Sequence, residues 1–304
     1  MYIFSASLNG IFGNSNFLYI MSAYKISFPC LLLGLFLLFS CKNEGQYKSP
    51  AGYTINKPGK TVMPYILDEI SGIAFLKGND DTIFAVNDES GKLYSFSFAS
   101  KKVSSQKFGK KADFEDITIL NNNTVAILKS DGALLLFPVA EIGKNQIDNV
   151  HTNNHILPEG EYEGIFAADG KLYVLCKNCP DDKEKKEVSV CIVEQVSGIN
   201  LRFVSSFKID VSKIQEEGVK GKVKFHPSCM AKHPVTQEWF IISAVNKVMI
   251  ILDNRWKVKE YYRLDPSLFK QPEGLAFNSK GDMYISNEGA GGSANILQFK
   301  YHSN

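Results

Sequence analysis

The chain has 304 residues, is 44% hydrophobic and carries a formal net charge of +2. That length allows one large domain or two modest ones with a sizeable core. Acidic and basic residues are nearly balanced and no long single-sign block occurs, which argues against a nucleic-acid surface.

The first 41 residues read as a lipoprotein signal peptide. Lys25 is their only charged residue; it precedes an apolar run, ISFPCLLLGLFLLFS (26–40), and then Cys41. A positive start, an apolar stretch of about 7–15 residues and a small residue at the cut are the features of an export signal. Cys41 after Leu38-Phe39-Ser40 resembles a lipobox, whose cysteine is lipidated, with Phe39 an unusual residue for a strict one. The rival reading is a membrane-spanning anchor, for which the run is short of the roughly 20 residues needed. Met21 makes a better start than Met1, because residues 1–20 add no charge. Without residues 1–41 the chain has 33 basic and 32 acidic residues, a net of +1, so lipid rather than a basic patch is expected to hold it to a membrane. Residues 42–50, KNEGQYKSP, read as a tether, and 51–304 as the folded body.

Beyond residue 50, short apolar runs alternate with Gly, Asn, Asp and Lys turns, which predicts strands rather than long helices. Abundant Phe, Val, Ile and Tyr agree with that reading. Five stretches superpose: EISGIAF (69–75), DFEDITI (113–119), EYEGIFA (161–167), HPSCMAK (226–232) and QPEGLAF (271–277). Each is followed by a second apolar strand and then a third: TIFAVND and KLYSFSF, TVAILKS and ALLLFPV, KLYVLCK and SVCIVEQ, WFIISAV and KVMIILD, DMYISNE and ANILQFK. Fourth strands are expected near 103–108, 154–157, 201–209 and 257–264. Matching positions Ser71, Glu115, Glu163, Ser228 and Glu273 lie 44, 48, 65 and 45 residues apart. Four strands every 40–50 residues or so is the signature of a propeller blade. The last repeat lacks a fourth strand, which GYTINKPGKTVMP (52–64) can supply to close the ring. The expected fold is therefore an all-β propeller of five four-stranded blades. A sixth blade would have to lie within 178–225.

In this register one column reads Glu69, Asp113, Glu161, His226, Gln271, and the column two residues on reads Ser71, Glu115, Glu163, Ser228, Glu273. Residues two apart on a strand share a face. If the strands are already extended here, ten polar side chains, six of them acidic, ring one mouth of the central channel. Such a ring favours a hard cation such as calcium, with Glu69, Glu115, Glu163 and Glu273 as ligands. The competing reading is that these carboxylates accept backbone N–H bonds from the next blade and fasten the ring. Its support is the repetition itself, since a structural device recurs in every repeat. A further set, including Asp88, Glu89 and Glu288, follows the second strands. Asn and Asp there suit tight turns, but a turn does not require Glu.

Cys176, Cys179, Cys191 and Cys229 follow Cys41. No nearby His completes a zinc site around the Cys-x-x-Cys, so a disulfide is expected in an exported chain, either Cys176–Cys191 across the hairpin loop or Cys179–Cys191. Cys229 is expected to pack in blade four. No Gly-x-Ser-x-Gly, P-loop or dinucleotide fingerprint is present.

The motifs EISGIAF, AVNDESGKLY, DFEDIT, EYEGI, QPEGLAF and ISNEG, in this order and spacing, resemble the SdiA-regulated, YjiK-like propeller family over residues 52–300. The resemblance implies an extracytoplasmic propeller, often a lipoprotein, and brings no established reaction. The expected function is a monomeric, lipid-anchored cell-envelope module, on the outer membrane, that binds a ligand or protein. The alternative is a calcium-dependent hydrolase of a phosphoester, ester or lactone, similar to phytase-like or SMP-30-type propellers. In that version Glu273 and His226 are the catalytic candidates.

Overall fold

A computed structural model describes residues 47–182, 186–214 and 225–303. The signal segment, Met21, Cys41 and most of the tether lie outside the described residues, as does much of the acidic and basic loop before His226. Among the described residues are five four-stranded antiparallel sheets, and no helix is long and apolar enough to cross a membrane.

The strands follow the repeat. After β1 (Gly59–Val62), blade one holds β2 (Ile70–Phe75), β3 (Thr82–Asn87), β4 (Ser90–Ser97) and β5 (Val103–Lys107). Blade two holds β6 (Phe114–Leu120), β7 (Thr124–Lys129), β8 (Leu134–Pro138) and β9 (His151–Asn153). Blade three holds β10 (Glu161–Ala168), β11 (Lys171–Asn178), β12 (Glu187–Ser197) and β13 (Asn200–Asp210). Blade four holds β14 (Cys229–Lys232), β15 (Trp239–Ser243), β16 (Val248–Leu252) and β17 (Val258–Arg263). Blade five holds β18 (Pro272–Phe277), β19 (Met283–Asn287) and β20 (Asn295–Phe299). Its fourth strand is β1, which pairs antiparallel with β20, Gly59 opposite Gln298 through Val62 opposite Asn295. The strand before blade one and the last strand of blade five thus close the ring, as expected. The one misplaced strand is β9, which pairs at 151–153 rather than 154–157, because Thr152 faces Leu135 and the chain turns away after Asn153.

Propeller strands are buried on both faces, so middle strands such as β7 (TVAILK), β15 (WFIIS) and β16 (VMIIL) are apolar over runs of consecutive positions rather than at alternate ones. In β3, Ile83 and Ala85 pack toward blade five, while Phe84 and Val86 pack toward blade two. The buried apolar residues form five clusters, and each fills one interface between neighbouring blades. Full burial of one Ile, Leu or Phe contributes roughly 1.5–3 kcal/mol, so the interfaces are the main source of stability. The outermost strands, such as β5 (VSSQK) and β17 (VKEYYR), are largely exposed and polar, as edge strands must be to stay soluble.

The innermost strands β2, β6, β10, β14 and β18 stand side by side around the channel. The channel end opposite the acidic mouth is a cavity of about 350 Å³, lined by Ile73, Ile117, Ile165, Met230, Leu275 and Phe277 among others.

Candidate functional site at the channel mouth

Four of the five innermost strands begin with a break in register. The ladder skips Ser71 and Gly72 in blade one, Glu115 in blade two, Glu163 in blade three and Glu273 in blade five. A bulge leaves its extra residue outside the ladder and re-aims its side chain. This is why a carboxylate opens a strand whose remaining residues are buried. Glu69, Asp113 and Glu161 are exposed at the rim, Gln271 and His226 are half-buried, and Glu163 is buried deeper in the mouth.

Among the described residues, neither carboxylate column fastens the ring through backbone N–H groups. That task falls to Asp116, which the sequence reading passed over. Asp116 is buried; its Oδ2 accepts the Ile165 N–H of blade three at 2.8 Å, and its Oδ1 accepts the Ile117 N–H at 2.8 Å. Thr118 Oγ1 accepts the Ala167 N–H at 3.0 Å beside it. The signal was available. Asp116 interrupts a column otherwise held by Gly72, Gly164, Cys229 and Gly274. A Cβ on Gly72 would stand 2.2 Å from Asp116 Oδ1, so the small residue in one blade makes room for the fastener in the next.

The main chain adds a second set of links. Asp88 N–H donates to Glu69 O, and Asp88 O accepts from Phe114 N–H of blade two. Ser130 repeats this with Asp113 and Tyr162. In blade five Glu288 N–H donates to Gln271 O, and Gly289 N–H reaches Asp68 O of blade one at 2.8 Å. In blades one, two and five the residues after the second strand are therefore blade-to-blade clips through their backbones. Their side chains take no part in the clip, and those of Asp88 and Glu288 turn to the mouth.

There the carboxylates divide into two groups. Glu115 and Glu163, from blades two and three, share a proton. Burial and the charge of Glu163 hold the Glu115 carboxyl well above the usual range, and burial raises Glu163 as well, so the pair keeps a proton between them. Glu163, also raised by burial, faces Lys177, whose Nζ donates to it and lies 3.4 Å from Glu161. Burial alone would lower the Lys177 ammonium, but the hydrogen bond to Glu163 and the surrounding carboxylates raise it instead. Glu273 is pushed up to about 7 by burial and then by Glu163, against a hydrogen bond from Ser228.

The second group is Glu69, Asp88 and Glu288, with one oxygen of each within 4.8 Å of the others. It lies where blade five meets blade one. Burial, then the charges of Glu273, Asp88 and Glu69, push Glu288 up to about 8. Burial, then Glu69 and Glu89, push Asp88 up to about 6. Gln271 Nε2 donates to Glu288, which ties that carboxylate in place. Asp88 Oδ1 is buried and, among the described residues, has no hydrogen-bond partner.

The cage expected from Glu69, Glu115, Glu163 and Glu273 does not assemble. Only Glu69 joins a cluster of possible ligands; among the described residues the acidic cluster tight enough for a cation is Glu69–Asp88–Glu288. Glu115 and Glu163 are occupied with each other and with Lys177. Asp113 accepts the Ser130 hydroxyl at 2.5 Å, and the His226 N–H donates to Asn246 Oδ1 at 3.0 Å. Glu89 stands exposed, 4.0 Å from Lys111.

The expected disulfide is also corrected. Cys176 pairs with Cys179, with Cα atoms 6.0 Å apart, and Cys191 is a buried free thiol. The ladder places Val174, not Cys176, opposite Cys191, whereas Cys179 lies in the turn directly after β11. Cys229 is buried in blade four, as expected.

The SdiA-regulated family model matches residues 47–290. The chain belongs to the SdiA-regulated family. No curated protein matches it. Among solved structures, a luciferin-regenerating enzyme is 10% identical, covering 80% of this chain and 95% of that one, with a TM-score of 0.49. The U3-55K structure is 11% identical over 78% of this chain and 98% of that one, with a TM-score of 0.47. A streptogramin B lyase is 11% identical over 78% and 67%, with a TM-score of 0.43.

Proposed function

We propose that this SdiA-regulated propeller is a cation-dependent binding module of the cell envelope, held by a lipid on Cys41 to the outer membrane as a monomer, with the Glu69–Asp88–Glu288 mouth as its ligand site. The single observation that carries the reading is the buried, unpartnered Asp88 Oδ1 inside a cluster of three carboxylates. A buried carboxylate oxygen without a partner costs several kcal/mol unless a proton or a cation satisfies it. An all-oxygen donor set suits a hard ion, and calcium fits better than magnesium because it accepts irregular geometry. Glu69, Asp88 and Glu288 would hold the ion, leaving further positions for water or for oxygens of an envelope ligand or protein. When bound, the ion supplies a positive centre in a mouth whose own field is negative. The deciding experiment is a melting curve of the protein with calcium and with chelator. Stabilisation by calcium that disappears in Glu288→Gln supports the site; no shift at millimolar calcium removes it.

A hydrolase of phosphoesters, esters or lactones is the second reading, and one observation favours it. Glu115 and Glu163 are two buried carboxyls, both raised and sharing one proton, which is how a site keeps a general acid at neutral pH. Glu273, poised near neutrality, is the accompanying base candidate, and His226 stands at the same rim. Turnover in a substrate panel with calcium that is lost in both Glu115→Gln and Glu273→Gln supports this reading. Its absence leaves the binding module.

The lipid anchor has its own test. Cys41→Ala should move the protein from the membrane to the soluble fraction. Retention through an intact N-terminal segment would replace the lipid by a spanning anchor.

A further inference from the structure

Outside the channel, blade three holds a second group of ligand atoms. Cys176 is buried near the end of β11, and Cys179 follows in the turn, partly exposed. Three residues on, Asp182 returns to the same place, so that a carboxylate oxygen lies within 4.8 Å of both sulfurs. Asp182 is fixed there by the next strand: it accepts the Ser189 hydroxyl at 2.6 Å and the Ser189 N–H at 3.2 Å, with Lys208 Nζ at 3.8 Å. A carboxylate has about four acceptor sites, so these contacts leave lone pairs free. Gly160 covers the sulfurs from blade three's entry loop; a Cβ there would stand 2.9 Å from Cys179 Sγ and 3.1 Å from Cys176 Sγ. In the sequence the Cys-x-x-Cys has no nearby His to complete a zinc site. The fold adds the missing donor.

We propose that Cys176, Cys179 and Asp182 form a redox-gated site for zinc. In the oxidised chain the two sulfurs are spent on each other. A dithiol or phosphine reductant delivers two electrons, and two protons complete two thiols. Zinc then displaces both thiol protons and binds two thiolates and the Asp182 oxygen, with a fourth position facing solvent beside the partly exposed Cys179. Cys-x₂-Cys is the spacing from which zinc sites draw two of their ligands. Thiolates select a soft or borderline ion, whereas the oxygens of the mouth select a hard one, so the two sites would not compete for the same metal. Cys179 lies outside the strand and can swing away from Cys176 without breaking the ladder.

The test compares oxidised and phosphine-reduced full-length protein in competition with a chromophoric zinc chelator. We expect one additional zinc per chain on reduction, accompanied, on cobalt substitution, by a near-ultraviolet thiolate-to-cobalt band. Both gains should vanish in Cys179→Ser and persist in Glu288→Gln, which alters only the mouth. Asp182→Asn should weaken the reduced site about tenfold or more. That variant keeps both cysteines and decides the matter if Cys179→Ser fails to fold. No extra zinc on reduction, extra zinc that survives Cys179→Ser, or an affinity unchanged in Asp182→Asn would each overturn the site.

Discussion

The two halves of the mouth use the same residue types to opposite ends. On the side of blades two and three, Glu115 and Glu163 are brought together by bulges, share a proton and lean on Lys177. That half is internally neutralised. At the seam of blades five and one, Glu69, Asp88 and Glu288 meet, no ion pair to a lysine joins them among the described residues, and Asp88 keeps a buried oxygen unpaired. Clustered carboxylates are therefore not by themselves a site. What separates structure from function here is whether the chain provides its own counter-charge.

The comparison breaks most visibly where the neutralised half loses its cation. Lys177→Met should destabilise the protein by about 2 kcal/mol, below the roughly 3–5 kcal/mol for breaking a fully buried pair because Lys177 is partly exposed. Urea denaturation measures the loss, and Lys177→Met with Glu163→Gln should recover most of it. Asp116→Ala should cost a similar or somewhat larger amount, about 2–3 kcal/mol, because it orphans the N–H groups of Ile165 and Ile117. The calcium response should survive that change, since Asp116 is outside the seam cluster.

At the seam the signs reverse. Calcium at ten to a hundred times its dissociation constant should contribute about 1.4–2.7 kcal/mol, a rise in melting temperature of roughly 3–10 °C. Glu288→Gln should abolish that rise and, in chelator above about pH 8, melt slightly higher than the parent, because there it removes a charge repelled by Glu273, Asp88 and Glu69. The pH dependence follows from the same repulsion. Glu288 is raised to about 8, Glu273 to about 7 and Asp88 to about 6, against ordinary values of 4.5, 4.5 and 3.8. Groups raised on folding give their full stabilising contribution below the unfolded value, and that contribution is lost as pH climbs through the folded values. Stability in chelator should therefore fall between about pH 5 and pH 8, and calcium should flatten the fall by replacing the protons. A chelator curve that rises over this interval would contradict the seam as described. The smallest effect belongs to Glu115→Gln, about 0.5 kcal/mol or less, because burial and the charge of Glu163 already push that carboxyl toward its neutral form.

The blade repeat was legible because it rests on local rules: apolar runs of strand length, turn residues between them and a spacing that four strands require. Ring closure was legible by subtraction, since the last repeat lacked a strand and the residues before the first could provide it. The site was legible only as a set of columns. Which members meet depended on bulges at Glu115, Glu163 and Glu273, and a bulge upsets the two-residue alternation on which a column argument relies. Asp116 hid inside DFEDITI because its carboxylate neighbours drew attention, although it was the odd residue in a column of small ones. Asp182 hid for another reason, since a ligand beyond a turn has no fixed spacing to betray it.

The sequence by itself determined five blades, their closure by β1 and an acidic mouth, because strand period, turn chemistry and repeat length act along the chain. Only the tertiary structure decided which carboxylates neutralise one another and which stand together at the seam. It also decided that Cys176 takes Cys179 rather than Cys191. Those outcomes depend on distances between residues of different strands and blades, fixed by packing at the five interfaces and not by position in the chain.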